Sequence, residues 1–382
     1  MEITPDSVRQ LLDQGENASV EFKLEEVRPE SLAREFVAFA NTQGGVLLLG
    51  VSDDKQCVGL SDPERQEERL CNIARQNVVP PIEIRTHRVT VDGRTLLWVE
   101  IPKGRERPYQ TQQAQYLIRV GSTNRVASQG ELMRLFQAAG VFHYDATAIE
   151  GSRLSDLNLA KLDQYFQTYG FDLSAEDDKE RLLRNADLMT DQRQATVAGL
   201  LLFGIHPQRY LPFAAISIAR FAGTEIADEL LDQQVIDGPL NQQVDSALAV
   251  IKRNLFRPSR IESTRTVDSR FQYPDRVFRE LIVNAVVHRN YAIHGSRIRL
   301  LMFEDRIEFI SPGRLPNSVT VEKLRVGVSC AVNPIILRYM ENLRYVDKLG
   351  RGLPMVYRTA EQAGKRIDCE ELGEEFRVVL QL

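Results

Sequence analysis

One segment carries three residues whose types and spacing could do chemistry. In Arg279-Glu280-Leu281-Ile282-Val283-Asn284-Ala285-Val286-Val287-His288-Arg289, the residues Glu280, Asn284 and His288 recur at every fourth position. On an α-helix this lines them along one narrow face. The residues between them are Leu, Ile, Val and Ala, so the rest of the helix reads as buried. A carboxylate, an amide and an imidazole in line on a buried helix need a polar partner. A magnesium ion carrying a nucleotide would supply one. The competing reading is the solvated face of an amphipathic helix. Against it, the stripe is one residue wide, and Asn284 is a poor helix former placed mid-helix.

The residues that must position this stripe follow it. Arg297–Phe303 and Arg306–Ile310 read as two strands joined by a tight turn at Glu304-Asp305. Ser311-Pro312-Gly313-Arg314-Leu315-Pro316 reads as a loop. Further on come Leu349-Gly350-Arg351-Gly352-Leu353-Pro354-Met355-Val356, a helix-like segment and a last strand, Glu375–Leu382. Gly350 and Gly352 would let backbone N–H groups approach phosphates where a helix begins. A glycine pair alone says little; the ordered set says much more. The sequence contains no Gly-x-x-x-x-Gly-Lys-Ser/Thr, which excludes a Walker-type phosphate loop.

That order, over roughly residues 270–382, resembles the GHKL ATPase fold shared by gyrase, chaperone, mismatch-repair and histidine-kinase ATP domains. The resemblance implies ATP and magnesium as cofactors. It places Glu280 on the general base and Asn284 on the magnesium ligand, with His288 beside them as a further cofactor-binding residue. Ser311-Pro312-Gly313 falls on the adenine-binding turn and Gly350-Arg351-Gly352 on the phosphate-binding glycines. The family usually places an Asp where the adenine amino group donates; here the nearest match is Ser311.

The 382 residues are 43% hydrophobic and 26% charged, enough for two or three globular domains. A net charge of −5 excludes a global basic field, so any nucleic-acid surface must be local. Cys57, Cys71, Cys330 and Cys369 are scattered, with no Cys-x-x-Cys, and no His-Glu-x-x-His occurs. No zinc site is expected, and the cysteines read as reduced thiols. Without a basic–apolar leader or a long apolar run, the expectation is a cytoplasmic protein with no membrane partner.

In the N-terminal third, Thr4-Pro5 starts a helix that Gly15 ends, and Val20–Leu24 reads as a strand. Pro29 opens a helix through Asn41, and Val46–Val51 reads as a buried strand. Ser61-Asp62-Pro63-Glu64 predicts a capped helix. Asp92-Gly93 predicts a hairpin between Ile82–Val91 and Arg94–Ile101. Tyr116–Val120 is another strand, and Ser128 with Glu131 caps a closing helix. Four strings stand out: Val20-Glu21-Phe22-Lys23, Phe36-Val37-Ala38-Phe39-Ala40-Asn41-Thr42-Gln43-Gly44-Gly45, Leu49-Gly50-Val51-Ser52-Asp53-Asp54, and Tyr116-Leu117-Ile118-Arg119-Val120-Gly121-Ser122-Thr123-Asn124-Arg125.

In that order they resemble the Schlafen AlbA-type domain over residues 10–138. The family is described as nucleic-acid binding, and some Schlafen members cut RNA with clustered carboxylates. The matching positions are Glu16, Glu21 and either Asp53 or Asp54. Three carboxylates could hold a divalent metal for phosphodiester hydrolysis. The plainer alternative pairs Glu21 with Lys23 or Arg34 and makes Asp53-Asp54 a turn. Residues 81–134 hold nine Lys/Arg against five Asp/Glu. Arg119 and Arg125 bracket a Gly-Ser-Thr-Asn loop that would suit phosphate contacts, with Lys23 as a further cation.

Residues 141–265 show no catalytic motif. Helices are expected at Ser155–Tyr169 and after Gly238-Pro239 to about Leu255, an apolar segment at Thr196–Gly204, and a strand at Ala214–Phe221. The expected organisation is α/β (α+β): a nucleic-acid-binding domain over 1–140, a connector over 141–265 and an ATP-binding domain over 266–382. The AlbA-like and GHKL-like halves together resemble a bacterial and archaeal family of predicted transcriptional regulators. Many of its members continue into a winged helix, and the sequence to Leu382 contains none. The functional expectation is an ATP-binding regulator that binds DNA or RNA, as a homodimer or higher homo-oligomer. The alternatives are an ATP-regulated, metal-dependent nuclease and a pseudo-ATPase assembly scaffold.

Overall fold

The computed structural model describes residues 3–173, 178–255, 273–328, 330–347 and 350–382. Leu349 of the glycine string lies outside the described residues. The fold is α+β and divides into two compact units, Met1–Phe142 and His143–Leu382.

The first unit contains α1 (Pro5–Gln14), β1 (Val20–Lys23), α2 (Pro29–Asn41), β2 (Gly44–Leu49), α3 (Pro63–Gln76), β3 (Val78–Val79), β4 (Arg85–Val91), β5 (Arg94–Pro102), β6 (Gln110–Thr111), β7 (Leu117–Val120), β8 (Thr123–Val126) and α4 (Gln129–Ala138). The main sheet has the order β1-β2-β5-β4, with β1 parallel to β2 and the other pairs antiparallel. Strand alternation gives it two apolar faces. Leu47, Leu49, Leu97 and Val99 pack with α2 and α3 on one side. Leu48, Leu96 and Trp98 pack with Val8 of α1 on the other. α3 is capped by Asp62, which accepts from the Arg65 N–H; the neighbouring Ser61 is turned to Glu25 instead. Asn41 closes α2 from inside the core. Its amide donates to the Tyr109 and Leu117 carbonyls and accepts from the Tyr109 N–H, tying the helix to the strands beyond it.

The second unit contains α5 (Leu159–Gln167), α6 (Lys179–Asn185), α7 (Val197–Phe203), β9 (Ile216–Phe221), β10 (Leu230–Ile236), α8 (Leu240–Leu255), α9 (Asp275–Val287), β11 (Ile298–Met302), β12 (Arg306–Pro312), α10 (Val321–Arg325), α11 (Pro334–Asn342), α12 (Gly352–Gln362), β13 (Ile367–Leu372) and β14 (Glu375–Gln381). One sheet runs β10-β9-β11-β12-β14-β13, with β9 parallel to β11. Helices α8, α9 and α12 share one core with it through Val244, Ile251, Leu281, Ile282 and Val356. The expected border near residue 265 lies outside the described residues; α8 before it and α9 after it contribute to one core. β9 and β10 come from the segment expected to be a connector, and the ladder between Ile216 and Ile298 joins them to the strands that follow α9.

Candidate functional site

The stripe helix is α9, and its polar face looks into a cavity. Glu280, Asn284 and His288 line that cavity with Ser311, Gly313, Gly350 and Gly352. Apolar walls come from Leu281, Phe309, Leu315, Val319, Leu324 and Val378. An apolar cleft with a few convergent polar groups is the usual form of a small-molecule site.

Asn284 donates from its amide nitrogen to the Glu280 carbonyl, 2.8 Å, and to the Glu280 carboxylate, 2.7 Å. Both bonds use the nitrogen, so the amide oxygen is the atom available to a hard cation. Burial raises the Glu280 carboxyl above its ordinary range; the Asn284 hydrogen bond opposes this and the nearby Asp347 charge adds to it. The same carboxylate lies against the start of α12. A Cβ at Gly352 would sit 1.7 Å from Glu280 Oε1, so any larger residue there would have to displace this carboxylate. The N-terminus of α12 thus faces the acid and the cavity together, and its exposed N–H groups favour anions.

Another part of the wall is the end of β12, where Ser311 and Pro312 pair with β14 and are not the loop expected from the sequence, together with the turn after it. The Ser311 hydroxyl donates to the Ala285 carbonyl of α9, 2.7 Å, which leaves its lone pairs as acceptors. Gly313 has φ 128° and donates to the Glu374 carbonyl, 2.7 Å. Arg351 is not in the cavity wall; its guanidinium holds Asp347 at 2.9 Å.

His288 follows α9 and is half-buried. Burial pushes its imidazole down to about 4, opposed by a hydrogen bond to the Cys330 backbone. Between the unfolded value near 6.5 and about 4, the unfolded chain takes up a proton that the folded chain refuses. Stability from this group is therefore complete above that window and falls as pH drops through it, by roughly 3 kcal/mol in total. Urea unfolding at about pH 7.5 and about pH 5 should show the loss, and His288→Gln should shrink it. An identical pH dependence in the variant would contradict this assignment.

In the first unit the sequence-predicted residues part company. The sequence predicts Arg119 at the surface as a phosphate contact; its side chain is only 1% exposed. Its guanidinium bonds Glu21 at 2.6 Å, Glu35 at 3.2 Å and the Asn17 carbonyl at 2.8 Å, and lies over the Phe39 ring. The reason is register: Arg119 sits on the inward side of β7, between the apolar Leu117 and Phe39. Glu21 is buried and also pairs with Lys23, as the plainer alternative expects. Glu16 accepts from the Phe22 N–H, 2.9 Å. Asp53 and Asp54 are exposed in a turn closed by the Lys55 N–H on the Ser52 carbonyl. Among the described residues, no group of three or more His, Cys, Asp or Glu could hold a metal ion. Arg125 remains at the surface in a two-pronged pair with Glu131. That pair, chiefly, holds the Glu131 carboxyl down at about 2.

Residues 16–128 match the family model "Schlafen, AlbA_2", and residues 295–380 match "Putative ATP-dependent DNA helicase recG C-terminal". The chain carries a Schlafen AlbA_2 domain at its N-terminus and a RecG C-terminal-like domain at its C-terminus. A crystal structure of the DIP2311 protein from Corynebacterium diphtheriae is similar at 21% identity and a TM-score of 0.47, over 95% of this chain and 64% of that one. The chain thus spans less than two thirds of that protein. A solution structure of the N-terminal domain of a RecG-related protein from Nitrosomonas europaea is 25% identical over 34% of this chain and 92% of that one, with a TM-score of 0.28. No curated protein matches. Among the described residues, no helix is long and apolar enough to cross a membrane.

Sequence reasoning misses two residues at these sites and misreads a third. In the AlbA_2 domain, Glu35 accepts from Asn124, 2.6 Å, and from Arg119. Burial raises its carboxyl, and the Glu21 charge adds to the effect. The available signal is a carboxylate between apolar neighbours in Leu32-Ala33-Arg34-Glu35-Phe36-Val37. Asn124 reads from the sequence as part of a phosphate loop, and its bond to Glu35 carries no local signal. In the RecG C-terminal-like domain, Asp347 lines the cavity three residues before Gly350, an acid just ahead of the glycines.

Proposed function

We propose that the chain is an ATP-binding protein of GHKL type that acts on nucleic acid, with nucleotide state controlling the nucleic-acid-binding domain. The observation that carries this reading is the cavity. Seven residues chosen from the sequence as one nucleotide site, on α9, β12, α12 and the loops beside them, line a single cleft. The donor set fits magnesium-ATP: an amide oxygen for the cation, a helix N-terminus for phosphates, and a buried carboxylate whose raised acidity range suits a general base. The names of the two matched families point the same way, toward nucleotide-dependent action on DNA or RNA. A homodimer or higher homo-oligomer in the cytoplasm is part of the proposal, and light scattering with and without ATP tests the assembly.

Asn284→Ala tests the pocket. Calorimetry should show magnesium-dependent ATP binding lost in the variant, with thermal unfolding close to wild type, because the side chain is only partly buried. Unchanged ATP affinity would sink the assignment.

For the nucleic-acid surface, Arg125 is the exposed member of the two arginines that flank the Gly-Ser-Thr-Asn loop. Arg125→Ala should weaken binding to all sequences alike, since phosphate contacts add affinity without reading bases. The log–log salt slope should become shallower by about 0.7–0.9, the value for one phosphate neutralised by one arginine. A changed sequence preference at constant slope would contradict a phosphate role.

A further inference from the structure

Among the described residues, Arg289 is the largest of the fully buried side chains, at 1% exposure. A buried guanidinium usually faces a carboxylate. This one faces backbone. Its Nη2 donates to the carbonyls of Ser296 at 2.8 Å, Ile293 at 3.1 Å and Phe213 at 3.4 Å, and its Nη1 to that of Asn290 at 3.3 Å. Its plane lies 4.7 Å from the Tyr291 ring centre. A planar guanidinium spreads its donors over two terminal nitrogens in a fixed fan, a reach that the single nitrogen of a lysine does not have.

The segment gathered in this way is the one that touches the cavity turn. Asn290 donates its backbone N–H to the Pro312 carbonyl, 2.7 Å. A Cβ at Gly313 would come within 2.9 Å of the Asn290 Cβ, so the two backbones are in close contact. The Asn290 side chain accepts from the Ala292 N–H, 3.0 Å, and keeps the segment folded back on itself. Neither Arg289 nor Asn290 lines the cavity, whereas Ser311 and Gly313 do.

We propose that Arg289 is a positioning residue for base recognition: it holds Asn290 against the Ser311–Gly313 turn and so fixes the wall that meets the base of a bound nucleotide. The inference rests on the nucleotide reading of the cavity. The phosphate end, at Glu280, Asn284 and Gly352, is held by α9 and α12 and does not depend on this brace. Removing the brace therefore separates the two halves of the ligand.

The test uses the full chain, with magnesium-ATP and magnesium-tripolyphosphate as probes in calorimetry. Arg289→Lys keeps the charge and removes the fork. It should weaken ATP binding about tenfold or more, while tripolyphosphate affinity stays within about twofold. Asn290→Ala, a smaller change on the same path, should shift the two ligands in the same unequal way. Hydrogen exchange at the Gly313 amide should quicken in both variants. Equal weakening for both probes, or none for ATP, would overturn the positioning role while leaving the nucleotide site standing. A wild type that binds neither probe would remove the nucleotide reading, and this inference with it.

Discussion

Arg119→Ala is expected to destabilise the N-terminal unit by about 3–5 kcal/mol, the cost of removing one partner from a buried ion pair. For a unit of this size that corresponds to a fall in melting temperature of roughly 10–17 °C. Arg119 compensates two buried carboxylates, Glu21 and Glu35, and binds the Asn17 and Val20 carbonyls at the start of β1. Without it, Lys23 is left facing both acids. The unpaired carboxyl would then take up a proton, so the variant should be least handicapped at low pH. Arg125→Ala is the control. That pair is exposed, and exposed pairs contribute between zero and about 1 kcal/mol. Equal melting temperatures for wild type and Arg119→Ala would overturn the keystone role and reopen a surface function for this arginine.

The contrast between these two arginines shows where sequence reading works and where it stops. Both flank the same polar loop, and composition treats them alike. Only the pairing of β7 with β8, Leu117 against Val126 and Arg119 against Asn124, turns one inward and leaves the other outside. Strand β8 escapes the sequence because Thr-Asn-Arg-Val lacks an apolar face of its own. Strands β10 and β13 escape it for a related reason. Both are sheet edges, and Leu-Leu-Asp-Gln-Gln-Val-Ile has no alternation to mark a buried face. By contrast, α9 is legible because its second half is buried apart from a narrow polar stripe. The helix at Val197–Phe203 reads only as an apolar segment: every residue in it is buried, so no periodicity remains to mark it. The ladder between β9 and β11 pairs strands far apart in the sequence, which no local pattern encodes.

The other large effect is expected at Glu280. Glu280→Gln should keep magnesium-ATP binding and lower hydrolysis by roughly 10²–10⁴-fold, the usual contribution of a positioned base. The substitution preserves shape and the hydrogen bond from Asn284, and removes only the ability to accept a proton. The surroundings favour that role over a purely structural one. Burial holds the carboxyl above its ordinary range, the direction that brings a base toward neutral pH. Turnover should therefore rise with pH through that raised value and level off above it. Gly352→Ala gives a second handle, because its new methyl would collide with the carboxylate and force it from the cavity. It should lower hydrolysis by displacing the base. Single-turnover measurements on the two variants beside wild type separate these effects. A Glu280→Gln variant that hydrolyses ATP at the wild-type rate removes the base role. A wild type that binds ATP without turning it over makes the site a nucleotide sensor, with Glu280 serving to hold Asn284 toward the cation.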